Sequence, residues 1–543
     1  MKVLILGGVA AGTKIAARLK REDRSAEVTI VTKGKDISYA GCGLPYYVGE
    51  VIKDRGSLVV NTPEKFEQLT GAKVVTCTEA VKLDRAAKTV ETKNILTGET
   101  ETRSYDKLVI ATGASPFRPS CEGVDLKNVF FMRTPEDAVS LREAVDAGEI
   151  KRAVIVGAGF IGLEVAENLA LKGVKVSVID FAPQILPGFL DPEFASYVEN
   201  RMSDEGIMCF TGVGLEAILG TDKVEKVKTT RKAMKADACI LAMGIRPNTG
   251  FLADSGIEMF KGTILTNAYL QTNDPDIYAV GDCAMVTNRV TGAPQWSPMG
   301  STANIAGRIA AGNLAGKETA YPGVLGTGVA KLPGIQIGRT GLGEVAAKAA
   351  GFDPVSVVTV VDDKAHYYPG AGSFLVKMLA DRESHRLLGL QVLGSGAVDK
   401  MVDIAVTAIS MKATLEDLQC MDFAYAPPFS TAIHPFAHTV NILLNKLAGS
   451  LESMTPAEFS EGAEEYRIVD CAIQPSLPGR PFLDLTSIDG PVDGFGTDEK
   501  LLLVCTKGKR AYMVQNRLKY YGYTGTKVLE GGATFNTEIT GDE

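Results

Sequence analysis

The chain has 543 residues, too many for one hydrophobic core, and a scale of about 100 to 200 residues per domain implies three or four domains. Hydrophobic residues at 45% and charged residues at 22% exclude a disordered or fibrous chain, and a net charge of -8 with scattered basic residues excludes the positive footprint of a nucleic-acid binder. No apolar run reaches the roughly 20 residues that cross a bilayer, and the apolar start Lys2-Val3-Leu4-Ile5-Leu6 stops at Gly7-Gly8 without a cleavage pattern, so no membrane partner and a cytoplasmic location are expected.

The first predicted unit is a strand, a glycine turn and a helix over Val3 to Lys20. Its turn, Gly7-Gly8-Val9-Ala10-Ala11-Gly12, is a loose phosphate-binding loop with Val9 in place of a middle glycine. The strand Val28-Thr29-Ile30-Val31 then runs into Thr32-Lys33 with no acid at its end, so a ribose bound there has to use hydroxyl or backbone groups. Next comes Ser38-Tyr39-Ala40-Gly41-Cys42-Gly43-Leu44-Pro45-Tyr46-Tyr47, with one cysteine in a glycine-flanked turn. Tyr105 to Ala114 reads as a strand ending in the small turn Ala111-Thr112-Gly113.

The strand-turn-helix pattern repeats over Ala153 to Lys172, here with the full G-x-G-x-x-G of Gly157, Gly159 and Gly162. The glycines allow close approach of a pyrophosphate to free NH groups at a helix N-terminus. The next strand, Lys175 to Ile179, ends in Asp180, a carboxylate suited to a ribose 2′-hydroxyl and repellent to a 2′-phosphate; NADH is favoured, with NADPH possible. Asp276 to Asp282 forms another strand, and Gly281-Asp282 at its end suits hydrogen bonding to a ribityl or ribose hydroxyl. Two dinucleotide sites imply two dinucleotides.

Together these marks resemble the pyridine nucleotide-disulfide oxidoreductase family over roughly residues 1 to 450. The resemblance implies an α/β chain with two Rossmann-like dinucleotide-binding domains, FAD at residues 1–115 and 242–320 and NAD(P)H at 116–241. An α+β dimerisation domain is implied at 321–448. It assigns Gly7, Gly12, Thr112, Gly113, Gly281 and Asp282 to FAD, and Gly157, Gly159, Gly162 and Asp180 to the nicotinamide dinucleotide.

The redox centre selects the branch. Most members pair two cysteines as C-x4-C, whereas here Cys42 stands alone. It can hold electrons only as a mixed disulfide with a small thiol or as a sulfenic acid. Ala10 stands where the peroxidase branch carries histidine, and the sequence resembles the coenzyme A-disulfide reductase pattern, with Tyr367 in His366-Tyr367-Tyr368-Pro369-Gly370 and Tyr425 in Ala424-Tyr425-Ala426-Pro427-Pro428. The resemblance implies a homodimer in which these tyrosines reach the other subunit's redox cysteine. Coenzyme A would be substrate or bound ligand, contacted by Ser38 and by Lys14, Arg18 and Arg21 on the first helix. The alternatives are an NADH oxidase or peroxidase cycling Cys42 through sulfenic acid, and a redox-sensing protein that no longer turns over.

The composition shifts after Ala448, and Thr455-Pro456 has the form of a helix start, so a separate α/β domain is expected at 455–543. In it Leu501-Leu502-Leu503-Val504 feeds Cys505-Thr506-Lys507-Gly508-Lys509-Arg510, followed by a helix from Ala511 to Tyr520. The C-x4-R loop resembles that of rhodanese-like sulfurtransferases, which implies sulfane sulfur on Cys505 with Arg510 beside it. Ile468-Val469-Asp470-Cys471 lacks the arginine usual after that family's aspartate. Cys471, with Cys77, Cys121, Cys209, Cys239, Cys283 and Cys420, reads as a packing residue. No cysteine or histidine cluster has metal-ligand spacing, and no metal is expected. The expected reaction passes electrons from NADH through FAD and Cys42 to a coenzyme A disulfide, coenzyme A persulfide or polysulfide, with Cys505 as sulfur carrier and sulfide as product.

Overall fold

The structure, a computed structural model, describes residues 1–540. These divide into two compact units, the first comprising 1–183 and 206–324, the second 184–205 and 325 onward.

The first unit contains two five-stranded sheets, each parallel throughout. One has the order Ile277–Ala279, Lys107–Ile110, Lys2–Leu6, Glu27–Val31, Lys73–Val75. The other runs Val129–Phe130, Ala238–Leu241, Arg152–Val156, Lys175–Ile179, Met208–Phe210. Strands buried on both faces are written as continuous apolar runs, which is why Val3 to Leu6 and Ala153 to Val156 are buried at every position. In both sheets the strand that opens the repeat is central. Its glycine turn therefore lies at the point where the chain can depart to either side, the usual ligand crevice of a doubly wound sheet.

In the second unit an antiparallel sheet has the order Gly328–Leu332, Ile335–Gly341, Leu387–Gly394, Ser373–Asp381, Pro354–Asp362. Helices Val398–Ser410 and Pro435–Leu447 pack on it. The segment Gln184–Glu205, which the sequence places within the nucleotide-binding stretch 116–241, groups with this unit. Its anchor is Lys377, which lies 2.8 Å from Asp191, 2.5 Å from Glu193 and 3.0 Å from Glu344. Burial alone would lower the Lys377 pKa, but Asp191 and Glu193 outweigh it and hold the ammonium charged.

The C-terminal residues add a four-stranded parallel sheet in the order Ser453–Met454, Thr526–Leu529, Leu501–Val504, Arg467–Asp470. Thr455 caps the helix Pro456–Glu461 in a reciprocal box with Glu458, as the Thr-Pro start requires. The helix after Cys505 begins at Lys509, two residues before the position read from periodicity, because Gly508 takes the left-handed conformation at its N-cap and leaves Arg510 inside the first turn. Among the described residues no helix is long and apolar enough to cross a membrane, and no group of three or more His, Cys, Asp or Glu is placed to hold a metal ion.

Candidate active site

In the first unit the site forms at the C-terminal ends of the strands. Gly157 has φ of +113°, and a Cβ there would stand 2.2 Å from the Ala242 oxygen; a Cβ on Gly162 would meet the Gly157 oxygen at 1.9 Å. Only glycine allows this turn. Gly159, by contrast, faces open space, so the backbone is bare where a pyrophosphate would lie. Gly7 and Gly12 repeat the same two close approaches in the first loop.

Asp180 lies at the end of its strand, as expected, and accepts from the Ala158 NH at 2.7 Å and from the Ala182 NH at 2.8 Å. It thus orders the glycine loop, and each carboxylate oxygen keeps a second lone pair for a ribose hydroxyl. Thr112 donates to the Asn248 carbonyl at 2.8 Å, and the Asn248 amide donates back to the Thr112 carbonyl at 3.0 Å. This ties the Thr112-Gly113 turn to the chain after Ile245–Pro247. Asp282 pairs with Arg133 at 2.8 Å, and its carbonyl accepts from the Trp296 indole at 2.8 Å.

Cys42 stands at the surface in the short turn Gly41–Gly43, ahead of the helix Leu44–Val48. Enough protein surrounds the thiol for burial to raise its pKa. The Glu164 carboxylate pushes the same way, the Arg133 guanidinium opposes, and Asp282 adds a smaller upward push. Glu164, on the helix of the second glycine loop, is itself pushed up to about 7 by burial, with the Tyr46 hydroxyl opposing at 3.3 Å and the Glu167 charge adding. Tyr46 rises to about 12. Cys42, Tyr46, Arg133, Glu164 and Asp282 thus act on one another. Of these, Tyr46, Arg133 and Glu164 escape motif reading. Glu164, two residues past the last loop glycine, is the one that spacing could have flagged.

Ser38 adopts φ of +51°, uncommon outside glycine, and its NH donates to the Gly8 carbonyl at 2.9 Å. The turn before Cys42 is therefore clipped to the first glycine loop, at a strained position of the kind that gathers at functional sites. The three cations of the first helix differ in availability. Arg18 is paired with Glu22, which also takes Lys317 at 2.9 Å, whereas Lys14 is half-buried and Arg21 is exposed.

In the second unit Tyr367 and Tyr425 are both exposed, and they hydrogen-bond to each other, which raises the Tyr425 pKa. Tyr425 shares the segment 421–433 with exposed Met421, Phe429 and Ile433. Cys505 is 5% exposed at the end of Leu501–Val504, and its sulfur accepts from the Ala511 NH at 3.4 Å. Arg510 pairs with Asp484 at 2.6 Å and donates to the Ala472 carbonyl, next to Cys471, at 3.1 Å. Lys507 leaves the same loop for Asp362 at 2.5 Å and the Ser373 hydroxyl at 2.9 Å.

The family model "Pyridine nucleotide-disulphide oxidoreductase" matches residues 1–303, and the model of that family's dimerisation domain matches 330–437. The chain is 35% identical over 448 residues to a protein of Methanocaldococcus jannaschii named "NADH oxidase", covering 82% of this chain and 100% of that one. It is 35% identical over 443 residues to "NAD(P)H coenzyme A polysulfide/persulfide reductase" of Pyrococcus horikoshii, covering 81% and 98%. Among solved structures, the NAD-dependent persulfide reductase from A. fulgidus superposes with a TM-score of 0.93 at 34% identity, covering 98% of this chain and 100% of that one.

Proposed function

The chain belongs to the pyridine nucleotide-disulphide oxidoreductase family, and on that footing we propose that it is an NADH-dependent flavoprotein reducing coenzyme A disulfide, coenzyme A persulfide or polysulfide through Cys42. The observation that carries this reading is a cysteine in the redox turn without a companion: the next in sequence is Cys77, and the groups acting on the Cys42 thiol are Glu164, Arg133 and Asp282. Such a thiol must take its partner sulfur from outside the chain.

The Gly7 to Gly12 loop, Thr112-Gly113 and Gly281-Asp282 would hold FAD, which would supply two-electron exchange with NADH when bound. The Gly157 to Gly162 loop binds the NADH pyrophosphate, and Asp180 accepts from its ribose and rejects a 2′-phosphate by charge. The Cys42 thiolate attacks a substrate sulfur, forms a mixed disulfide and expels the other half as thiolate or hydrosulfide. Arg133 favours the thiolate, while Glu164 restrains it when ionised. With a dimerisation domain present, a homodimer is the working assembly. Tyr367 and Tyr425 then serve the partner's redox centre as phenol donors to the departing sulfur. The domain at 455–543 is read as rhodanese-like, with Cys505 carrying sulfane sulfur that is passed to coenzyme A or to Cys42. The names of the Pyrococcus and A. fulgidus proteins support this substrate class.

A second reading, NADH oxidase through a Cys42 sulfenic acid, is favoured by the name of the Methanocaldococcus relative and opposed by Ala10 at the start of the first helix. Anaerobic NADH oxidation by FAD-loaded protein, with coenzyme A disulfide, coenzyme A persulfide, polysulfide and peroxide compared as acceptors, decides between them. Preference for the sulfur acceptors is expected, and preference for peroxide refutes the proposal. Cys42→Ser is expected to abolish disulfide turnover with FAD retained. Cys505→Ala is expected to spare coenzyme A disulfide reduction and impair polysulfide use.

A further inference from the structure

Cys471 reads as a packing residue in the sequence, but the sheet sets it beside Cys505. Strands Arg467–Asp470 and Leu501–Val504 pair in parallel with Asp470 opposite Val504. The ladder continues one residue further, the Cys471 NH donating to the Val504 carbonyl at 2.6 Å. The next lateral pair is therefore Cys471 and Cys505.

Their side chains leave the sheet on the same face. Both cysteines pack in one cluster with Val469, Leu503 and Val514, while Ile468, Leu502 and Val504 belong to the cluster on the opposite face. Adjacent parallel strands are about 4.8 Å apart, and disulfides span Cα separations of about 4.4 to 6.8 Å. The Cys471 backbone is pinned: Asp470 accepts from the Ala472 NH at 2.9 Å and the Leu477 NH at 2.9 Å, and Arg510 holds the Ala472 carbonyl. The register thus makes Cys471 and Cys505 lateral neighbours at the backbone spacing that a disulfide bridges.

Burial raises the Cys471 pKa, and the neighbouring Cys505 adds to the shift. Cys471 therefore rests as a neutral thiol and reacts by giving up its proton in the same step.

Resting on the reading of Cys505 as sulfur carrier, we infer that Cys471 is the resolving thiol of a Cys505 persulfide. Cys471 Sγ attacks Cys505 Sγ and the Cys471–Cys505 bond forms. The bond from Cys505 to the outer sulfur breaks, and that sulfur departs as hydrosulfide carrying the Cys471 proton. The outer sulfur is reduced to sulfide, and the two cysteine sulfurs are oxidised to a disulfide. Two equivalents of a low-molecular-weight thiol restore both cysteines and leave as that thiol's own disulfide. This product is of the class that Cys42 reduces with NADH, so the output of the C-terminal domain becomes the input of the flavoprotein domains.

The test uses full-length, FAD-loaded protein, treated anaerobically with polysulfide without thiol or NADH, freed of excess reagent and mapped by non-reducing peptide mass analysis. In the unaltered protein Cys505 is expected to appear linked to Cys471, with the outer sulfur lost as sulfide. In Cys471→Ser, and in Cys471→Ala as a second variant against misfolding, Cys505 is expected to retain the extra sulfur, and sulfide release from its peptide is expected to fall about tenfold or more. Retention of that sulfur to the same extent with and without Cys471 overturns the inference. If Cys505 takes no sulfur in any of the proteins, the carrier reading fails, and the inference with it. A parallel oxidation with a thiol-specific oxidant separates the two failures. It links Cys471 to Cys505 if the sulfurs are in reach, whatever Cys505 carries, and absence of that link overturns the geometry itself.

Discussion

Replacing Glu530 by glutamine should loosen the Cys505 loop without touching it. Glu530 is 3% exposed, and three donors converge on its two oxygens: the Val358 NH at 2.7 Å, the Lys446 ammonium at 2.6 Å and the Ser453 hydroxyl at 2.6 Å. An amide can face only one side of that set with its oxygen; its NH2 must then oppose another donor. Immediately after Glu530 the backbone turns into the loop, with the Ala533 NH donating to the Cys505 carbonyl and the Thr534 NH to the Thr506 carbonyl, both at 3.0 Å. Breaking a buried charge pair costs about 3 to 5 kcal/mol. At the lower figure, local opening of this junction becomes roughly 150-fold more frequent. Amide hydrogen exchange at Val358, Ala533 and Thr534 in Glu530→Gln, under conditions where exchange follows the opening equilibrium, measures this directly. Exchange within a few-fold of the unaltered protein at all three amides would refute the reasoning and mean that Lys507, through Asp362 and Ser373, suffices to hold the loop.

Asp180→Ser is expected to lower the ratio of NADH to NADPH kcat/KM by about tenfold, a difference of about 1.4 kcal/mol; an unchanged ratio would remove Asp180 from cofactor choice. Glu164 is pushed up from 4.5 to about 7, so it is bound to its proton more tightly in the folded chain. Stability is therefore lost as pH rises from about 4.5 through 7, on the order of 3 kcal/mol. In Glu164→Gln the thermal midpoint should vary less between pH 5 and 8, and alkylation of Cys42 should move to lower pH because the anion opposing its thiolate is gone. Superimposable alkylation profiles would show that Glu164 does not act on Cys42. Tyr425→Phe removes the hydrogen bond to Tyr367 and is expected to slow disulfide turnover about tenfold to a hundredfold, while reduction of the bound flavin by NADH keeps its rate. Equal loss in both half-reactions would point to a structural role.

The parts of this molecule written locally are legible from sequence. Gly157, Gly162 and Asp180 sit where a strand, a turn and a helix must meet; Gly162 and Asp180 are demanded by contacts within that unit, and Gly157 by its own left-handed backbone. Cys42 and Asp282 are legible for the same reason, as residues in short turns at strand ends. What cannot be read is partnership across distance. Arg133 meets Asp282 because two remote strand ends converge. Glu530 meets Lys446 and Val358 from a remote stretch of the second unit. The side-by-side placement of Cys471 and Cys505 depends on a parallel register that neither strand specifies alone. The C-x4-R loop likewise shows Arg510 but not its partners, Asp484 and the Ala472 carbonyl, which come from a remote stretch of chain. The grouping of Gln184–Glu205 with the second unit is invisible for a similar reason, since Asp191 and Glu193 find Lys377 only after the antiparallel sheet exists.

That lysine has a thermal consequence. The ammonium of Lys377, with Lys348 beside Glu344 and Arg339 in the field of Asp191, balances the three carboxylates, so the knot is close to electrically neutral although most of it is out of water. The hydration that charged groups forfeit by such placement becomes less valuable as temperature rises, whereas apolar burial levels off. On warming, the hold on Gln184–Glu205 therefore weakens later than the contacts around it. This stretch of chain is expected to be among the last of the second unit to exchange its amides as the protein approaches its melting temperature.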